Sequence, residues 1–257
     1  MGRLHHHLIS MTRRRFHALP VAFNFEAHTV TLGSDEARHL RDVLRLKEGD
    51  EVYVFDSQGR EFRCAVLTTR RDSAELRIEA EVKPAKPESK LSLNLGVALL
   101  KGEKFDFVVQ KATELGVIRV TPLITRYADI HLRDAADAAK RVARWQRIAL
   151  EAAKQCGRAL VPEVGPPVAF AAALAIEGLG IMFSERGGTA FDSLKVHDGV
   201  SAVTALVGSE GGWSDEEIAA ARARNFQIVT LGGRILRAET AAITVTVLLQ
   251  HRFGDLR

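Results

Sequence analysis

The segment LVGSEGGWSDEE, residues 206–217, ends an apolar run in three closely spaced glycines. Glycine permits backbone conformations with positive φ and lets a ligand approach the main chain closely. A helix start follows, because Ser214 and Glu217 have the spacing of a capping box. A tight turn alone would explain an isolated glycine cluster, but a bare backbone beside small apolar side chains also suits a flat heteroaromatic base.

A second glycine loop, LGGRILRAETAA at residues 231–242, again leads from an apolar run into a helix. It carries Arg234, Arg237 and Glu239 on a segment whose other side chains are typical of a core. Neither loop has the G-x-x-x-x-G-K-[ST] spacing of a P-loop or the Rossmann G-x-G-x-x-G spacing. The two loops therefore indicate a base such as adenine, bound by main-chain hydrogen bonds rather than in a phosphate cradle.

The segments around these loops predict an α/β domain. Residues 91–99, 104–116 and 117–125 read as strand, helix and strand with short connections, which is typical of a mostly parallel sheet. Three later apolar runs, IMFS, AVTALVG and QIVTLG, each stop at serine or glycine. We expect their loops to meet at one edge of the sheet, where open α/β folds bind ligands.

A long amphipathic helix is predicted at residues 137–156. Trp145 and Ala149 lie on its apolar side, and Arg144 and Arg147 lie on the charged side. The charged side fits either a solvated surface or a contact with RNA.

The first third of the chain predicts a small β-rich module. Residues 30–82 contain short alternating segments separated by turn residues. One helix interrupts them at residues 35–50, with Leu40, Val43 and Leu44 predicted on its core face and arginines opposite. The following segment, VKPAKPESK, has two prolines and three lysines and predicts a linker.

Composition limits the class of protein. The chain has 257 residues, enough for two modest domains, and a net charge of +4 that favours a polyanionic partner. Cys64 and Cys156 have neither metal-ligand nor redox spacing, and no apolar stretch reaches the roughly 18 residues of a membrane span. His5, His6 and His7 are interpreted as part of a leader rather than as metal ligands. We expect a cytoplasmic protein with no metal and no membrane partner.

Five motifs together resemble a known family. In chain order they are HLRDVLRLKEGDEV, KGEKFDFVVQKATELGV, EAAKQCGR, GSEGGWSDEE and LGGRILRAETAA. They resemble the bacterial small-subunit ribosomal RNA uridine N3-methyltransferases of the SPOUT superfamily, from Arg15 to the C-terminus. That family has proline where this chain has Ser209, phenylalanine at Trp213, proline at Gly233 and threonine at Ala238. The glycines and both arginines of the loops are retained.

The resemblance implies an α/β fold class: a SPOUT-type parallel sheet with a C-terminal trefoil knot, plus a small N-terminal β-barrel of the PUA-like type. It implies an RNA-binding barrel at residues 11–83, a linker at 84–90 and a methyltransferase domain at 91–257. Periodicity alone gives no sign of a knot, which is a rare feature. The implied reaction is S-adenosylmethionine-dependent methylation of uridine N3 in 16S rRNA, within the 30S subunit.

The same resemblance places S-adenosylmethionine, folded, between the glycine loops. The residues implied to bind it are Ser184, Val207, Gly208, Ser209, Glu210, Gly211, Gly212, Leu231, Gly232, Ile235, Leu236, Arg237, Thr240 and Ala241.

Methyl transfer requires the donor carbon and the acceptor nitrogen to be held in line. Uracil N3 becomes a good nucleophile only as the anion, which is favoured by donors aimed at the flanking carbonyl oxygens. Arg237 is the first candidate for this role and Arg234 the second, with an ion pair to Glu239 or Glu210 as the alternative. Neither loop contains histidine, so water or a carboxylate such as Glu239 would take the proton.

The first domain is expected to bind RNA through backbone charge and shape, with further contacts in the second domain. The candidate residues are Arg13, Arg14, Arg15, Arg38, Arg41, Arg45, Lys101, Lys104, Lys111 and Arg158.

Two other functions stay open at this point: a ribose 2′-O-methyltransferase of the same superfamily, and a non-catalytic RNA-binding assembly protein. The C-terminal helix, residues 239–253, is apolar nearly all round, which predicts burial on more than one side. A homodimer with Val245 and Val247 at its interface would cover the second side. A helix fully buried within a monomer is the alternative.

Overall fold

The computed structural model describes residues 13–128, 130, 132–197 and 199–256. The leader with its three histidines therefore lies outside the described residues. The chain divides into two compact units, residues 1–86 and 87–257. This division falls within the segment predicted as a linker.

The first unit is built on a six-stranded sheet. Its strands are β1 (Arg15–His17), β2 (Phe23–Asn24), β3 (Thr29–Leu32), β4 (Glu51–Phe55), β5 (Glu61–Thr69) and β6 (Ala74–Val82). They follow the order β1-β4-β5-β6-β3-β2, in which β1 is parallel to β4 and the other neighbours are antiparallel. The predicted strands β3 to β6 are confirmed, whereas β1 and β2 are too short for an alternating pattern to reveal.

The helix of the first unit is shorter than predicted. It comprises α1 (Ser34–Arg38) and then a π-helical turn at His39–Val43. The predicted core face is wrong for Val43 and Leu44, which are 64% and 37% exposed, whereas Leu46 is buried. The cause is the π-helical turn, whose extra residue rotates the side chains that follow away from a 3.6-residue periodicity.

The thiol of Cys64 on β5 is fully buried and forms no disulfide. Burial raises the pKa of Cys64 from 9.0 to about 12. Between these values the thiol ionises in the unfolded chain but not in the folded one, so stability falls as the pH rises above 9. We expect wild type to lose roughly 1 kcal/mol more than Cys64→Ala between pH 7 and pH 10. Urea unfolding at the two pH values measures this, and identical losses in both proteins would contradict it.

The second unit contains a parallel sheet. Its strands are β7 (Ser92–Ala98), β8 (Arg119–Ile124), β9 (Glu163–Val164), β10 (Val168–Ala169), β11 (Leu179–Phe183), β12 (Ala202–Val207) and β13 (Gln227–Val229). The order is β10-β8-β7-β12-β11-β13, and β9 also pairs with β8. All of these pairings are parallel, as predicted. The three late apolar runs are β11, β12 and β13, and β11 lies between the other two.

Four helices pack around this sheet: α2 (Lys104–Glu114), α3 (Ala135–Cys156), α4 (Asp215–Ala223) and α5 (Ala238–Phe253). The apolar side of α3 faces α2, where the rings of Trp145 and Phe105 lie 4.3 Å apart between centroids. None of the helices in the described ranges is both long and apolar enough to cross a bilayer.

The helix α5 covers the sheet with a stripe that includes Ala242, Val245 and Leu249, all fully buried. Val245 is thus a core residue of the single chain, which corrects its assignment to an interface. Val247 points elsewhere and is 38% exposed.

Candidate functional site

The loops that follow β11, β12 and β13 line one cavity, which confirms that these strand ends meet at one edge of the sheet. Parallel neighbours bring their carboxyl ends together, so three sequence-distant loops become adjacent. Ten of the residues predicted to bind the cofactor line this cavity. They are Ser184, Val207, Gly208, Ser209, Gly212, Leu231, Gly232, Ile235, Leu236 and Ala241.

The loop after β12 is tied to the end of β11. The indole Nε1 of Trp213 donates a hydrogen bond of 2.8 Å to the carbonyl oxygen of Phe183, and Trp213 is buried. A Cβ on Gly208 would lie 3.2 Å from the Trp213 ring, so glycine leaves the space that the indole needs. The Gly212 amide donates to the carbonyl of Ser209 at 2.9 Å, with Gly212 at φ +70°. These contacts make Trp213 a wall of the cavity, a role that the sequence did not predict.

Gly211 faces away from the cavity. A Cβ at this position would lie 2.7 Å from the Cβ of Tyr127, in the loop after β8. The hydroxyl of Ser209 donates to the Tyr127 carbonyl at 3.0 Å. The requirement for glycine at 211 therefore comes from packing between two loops, which corrects its assignment to the cofactor wall.

The capping box at the start of α4 is confirmed. The Ser214 hydroxyl accepts from the Glu217 amide, and the Glu217 carboxylate accepts from the Ser214 amide at 2.9 Å. The other oxygen of Glu217 accepts from the backbone amide of Arg126 at 2.9 Å. One buried carboxylate thus holds the helix start against the loop after β8.

The second glycine loop presents a bare main chain to the cavity. Gly232 and Gly233 both have φ +73°, and a Cβ on either would meet no atom within 4 Å. The family that this chain resembles has proline at position 233, and proline cannot adopt this φ. The backbone at Gly233 therefore differs from that of the family. Within the described residues, the amides and carbonyls of residues 231–236 form no hydrogen bond and are available to a ligand.

Two buried side-chain oxygens near this site have no hydrogen-bond partner among the described residues: Oγ1 of Thr230 and Oε2 of Glu239. Thr230 lines the cavity. Buried polar atoms are paired in most folded proteins, so the Thr230 oxygen marks a place where a bound group would complete the bonding. Thr230 was not predicted from the sequence, because a β-branched residue at the end of a strand is common without any role in binding.

Lys104, predicted as an RNA contact, lies beside the two glycine loops. Its ammonium group donates to Glu210 and lies 4.0 Å from Oε2 of Glu239. The hydrogen bond with Glu210 raises the pKa of Lys104. Glu210 thus binds a lysine and lies outside the cavity lining.

The side chains of Arg234 and Arg237 are exposed and form no hydrogen bond or ion pair with the described residues. The ion pairs of Arg237 with Glu210 or Glu239, which were the alternative to a catalytic role, are not formed. Lys104 instead forms an ion pair with Glu210 and lies 4.0 Å from Oε2 of Glu239. Arg234 lines the cavity, while Arg237 precedes α5 at its N-cap and, like Thr240, lies outside the lining. Both guanidinium groups are free to meet a substrate.

The residues predicted to contact RNA differ in how exposed they are. Arg14, Arg38, Arg45 and Lys101 are exposed. Three arginines of the first unit are engaged within it, and Lys111 pairs with Glu114 at 2.8 Å. Of these arginines, Arg13 and Arg15 both bind Glu61 at 3.1 Å. The third, Arg41, binds Asp42 and the carbonyls of Arg70 and Arg71.

The RNA contact predicted for Arg158 is wrong. This residue is 4% exposed, pairs with Glu88 at 2.7 Å and donates to the carbonyls of Thr113 and Val117. Its guanidinium satisfies carbonyls where α2 ends and the chain turns toward β8. Arg15 is corrected for the same reason, because its side chain is 7% exposed against Glu61.

Comparison with known proteins agrees with this geometry. Residues 87–250 match the family described as an RNA methyltransferase domain, and residues 32–79 match the RNA methyltransferase PUA domain. A ribosomal RNA small subunit methyltransferase E of Buchnera aphidicola is 31% identical, over 88% of this chain and 92% of the relative. The protein of that name from Synechocystis is 34% identical, over 83% and 70%.

Solved structures are similar over nearly the whole chain. The ribosomal RNA small subunit methyltransferase E of Neisseria gonorrhoeae, bound to S-adenosyl methionine, has a TM-score of 0.84 and 32% identity, covering 95% of this chain and 100% of that one. A putative methyltransferase of Legionella pneumophila, in complex with the cofactor SAM, has a TM-score of 0.84 and 30% identity, covering 95% and 99%.

The fold and the site together define an RNA methyltransferase with an N-terminal PUA-like β domain. Its class is therefore that of an enzyme, not of a non-catalytic assembly protein. Within this class, the chain belongs to the ribosomal RNA small subunit methyltransferase E family. Among the residues that the structure describes, no group of three or more His, Cys, Asp or Glu side chains is arranged to hold a metal ion.

Proposed function

We propose that this chain transfers a methyl group from S-adenosylmethionine to N3 of a uridine in 16S ribosomal RNA of the small subunit. The observation that carries the proposal is the cavity at the carboxyl edge, where bare main chain and glycine surround an apolar space. We further propose that the reaction takes place in the cytoplasm, on RNA within the 30S subunit or before its assembly.

The residues present fit the cofactor. The unpaired amides and carbonyls of residues 231–236 suit the edge of adenine, and Oγ1 of Thr230 offers a further donor or acceptor. The open space at Gly232 leaves room for the ligand. When bound, the cofactor supplies an electrophilic methyl group on its sulfonium. Of the predicted binding residues, we retain those that line the cavity as the binding wall.

Arg237 is proposed as the group that stabilises the uracil anion. Its guanidinium is exposed and unpaired within the described residues, so its donors can reach a uracil carbonyl oxygen. Arg234, which lines the cavity, is the second donor. Lys104 is proposed to hold Glu239 in place, and Glu239 or water accepts the N3 proton.

The test of this function is a methylation assay on small-subunit RNA. Purified protein is incubated with methyl-labelled S-adenosylmethionine and either free 16S rRNA or 30S subunits lacking the modification. Nuclease digestion followed by mass spectrometry then identifies the modified nucleoside. We expect 3-methyluridine, whereas 2′-O-methyluridine would establish a ribose methyltransferase and overturn the N3 assignment.

We further propose the domain bounds 11–83, 84–90 and 91–257, a PUA-like β-barrel in the first domain and a trefoil knot in the last. The knot is supported by the path of the sheet, since β13 lies beyond β11 while α5 returns to pack on β7 and β12. The returning chain must pass the loops that follow β11 and β12 at the carboxyl edge.

We propose that the protein is a homodimer that uses the exposed side of α5. Val247 is 38% exposed there, and Ile243 and Leu248 are half-buried, whereas Val245 and Leu249 are fully buried. Val247→Asp is expected to give monomers with little activity, because a charge cannot be buried unpaired in an interface. Val196→Asp is the matched control, since Val196 is 37% exposed elsewhere on the unit. Light scattering that finds the wild type at 28.2 kDa would contradict the dimer.

A further inference from the structure

Three phenylalanines of the first unit form a cluster that reaches the surface. Phe23 and Phe62 are buried, with ring centroids 5.0 Å apart. The ring of Phe25 stacks near that of Phe23 at 5.8 Å and an interplanar angle of 15°, and lies 5.6 Å from that of Phe62. Phe25 is nevertheless 46% exposed, so the cluster presents an aromatic ring to solvent.

Arg60 covers the edge of this cluster. Its guanidinium carbon lies 5.3 Å from the ring centroid of Phe25 and 5.5 Å from that of Phe62. Its Nε donates to the fully buried carboxylate of Asp56 at 2.7 Å, which fixes the plane of the guanidinium. Its two terminal nitrogens make no hydrogen bond to the described residues, so a planar cation with free donors stands beside an exposed ring.

Two carboxylates next to this cluster are buried and bound by arginines whose side chains reach solvent. Asp56 and Glu61 both have 0% exposure, whereas the side chains of Arg60 and Arg13, which bind them, are 42% and 31% exposed. Asp56 is bound by Arg60, and Glu61 is bound by Arg13 and Arg15. The exposed carboxylates of this region are Glu26, next to Phe25, and Glu81, whose backbone pairs with that of Phe62. The free donors of Arg60 complement a phosphate group.

We propose that Phe25 and Arg60 form a binding site for an unpaired nucleotide of the RNA substrate. A base stacks on the exposed surface of the Phe25 ring and on the guanidinium plane of Arg60. The terminal nitrogens of Arg60 donate to the adjoining phosphate. Stacking on aromatic rings and on arginine is the usual way in which proteins hold single-stranded bases, because every base has a π face. This proposal rests on the proposed function only in that the substrate is RNA. It adds that an unpaired nucleotide of that RNA is bound at Phe25 and Arg60.

The test compares labelled oligouridylate of about twelve nucleotides with an RNA duplex of equal length, by fluorescence anisotropy at several salt concentrations. Phe25→Leu keeps the apolar packing and removes the π face. We expect it to weaken oligouridylate binding about tenfold with an unchanged salt slope, and to leave duplex binding unchanged. Phe107→Leu is the matched control, since Phe107 is 45% exposed on α2, and it should leave both affinities unchanged.

Arg60 gives an independent arm. Arg60→Gln should weaken oligouridylate binding and reduce the salt slope by roughly 0.7, the contribution of one phosphate contact on a single strand. Arg60→Lys keeps the charge and therefore the slope, but loses the plane and should still weaken binding. Thermal unfolding and the affinity for S-adenosylmethionine report whether each variant is folded.

Wild-type oligouridylate affinity in folded Phe25→Leu and Arg60→Gln would overturn the site. The same holds if these variants bind free RNA normally and fail only on assembled 30S subunits, because the surface would then contact ribosomal protein. A wild-type protein that binds oligouridylate through Phe25 but methylates no uridine would leave the nucleotide site standing and refute the proposed reaction.

Discussion

Gly232→Val is expected to weaken S-adenosylmethionine binding by about a hundredfold or more while the protein stays folded. The position lines the cavity, and a Cβ there points into space that no protein atom occupies. A branched side chain would fill this space and exclude the ligand. Isothermal titration calorimetry with the purified variant measures the loss.

Valine at φ +73° is strained by about 1–3 kcal/mol, so the control variant must place valine at a glycine with a similar φ. Gly199 supplies it, with φ +80° and likewise no atom within 4 Å of a Cβ, in a turn that does not line the cavity. Gly199→Val should bind the cofactor like wild type. Equal losses in both variants would mean that strain, and not occupation of the ligand space, removes binding.

Arg237→Ala is expected to lower kcat about a hundredfold to a thousandfold, with the affinity for S-adenosylmethionine changed by no more than about twofold. The side chain lies outside the cavity lining and has no partner among the described residues, so it is free to act on the substrate. Single-turnover methylation of 30S subunits measures the chemical step. Arg237→Lys should recover part of the rate, since it keeps the charge but not the two-pronged donor.

Arg224→Ala is the matched control, because Arg224 is an exposed arginine of the same unit at the end of α4. Its kcat should equal that of the wild type. An Arg237→Ala enzyme with unchanged kcat would remove Arg237 from the mechanism. A variant that instead lost cofactor affinity would assign Arg237 to the binding wall.

The location of the site was predictable from the sequence because its signals are local. Apolar runs that stop at glycine or serine identified β11, β12 and β13, and their parallel pairing brings the loops together. The capping box at Ser214 was equally local, since both partners lie within one helical turn.

What the sequence could not reveal depends on partners distant along the chain. The glycine at 211 is required by Tyr127, and the burial of Arg158 depends on Glu88 and two carbonyls. An arginine contributes the same positive charge to the sequence whether it meets water, RNA or a buried carboxylate. Only the tertiary contacts distinguish these cases.

The strand order has a consequence for how the protein is made. In the second unit β7 pairs with β12, joining Ser92 to Ala202, so the centre of the sheet cannot close until most of the chain has left the ribosome. The first unit pairs β4 with β5 and β5 with β6 through short turns, and its sheet can begin to form much earlier. Until β12 has been synthesised, the edge of β7 that pairs with it has no partner strand.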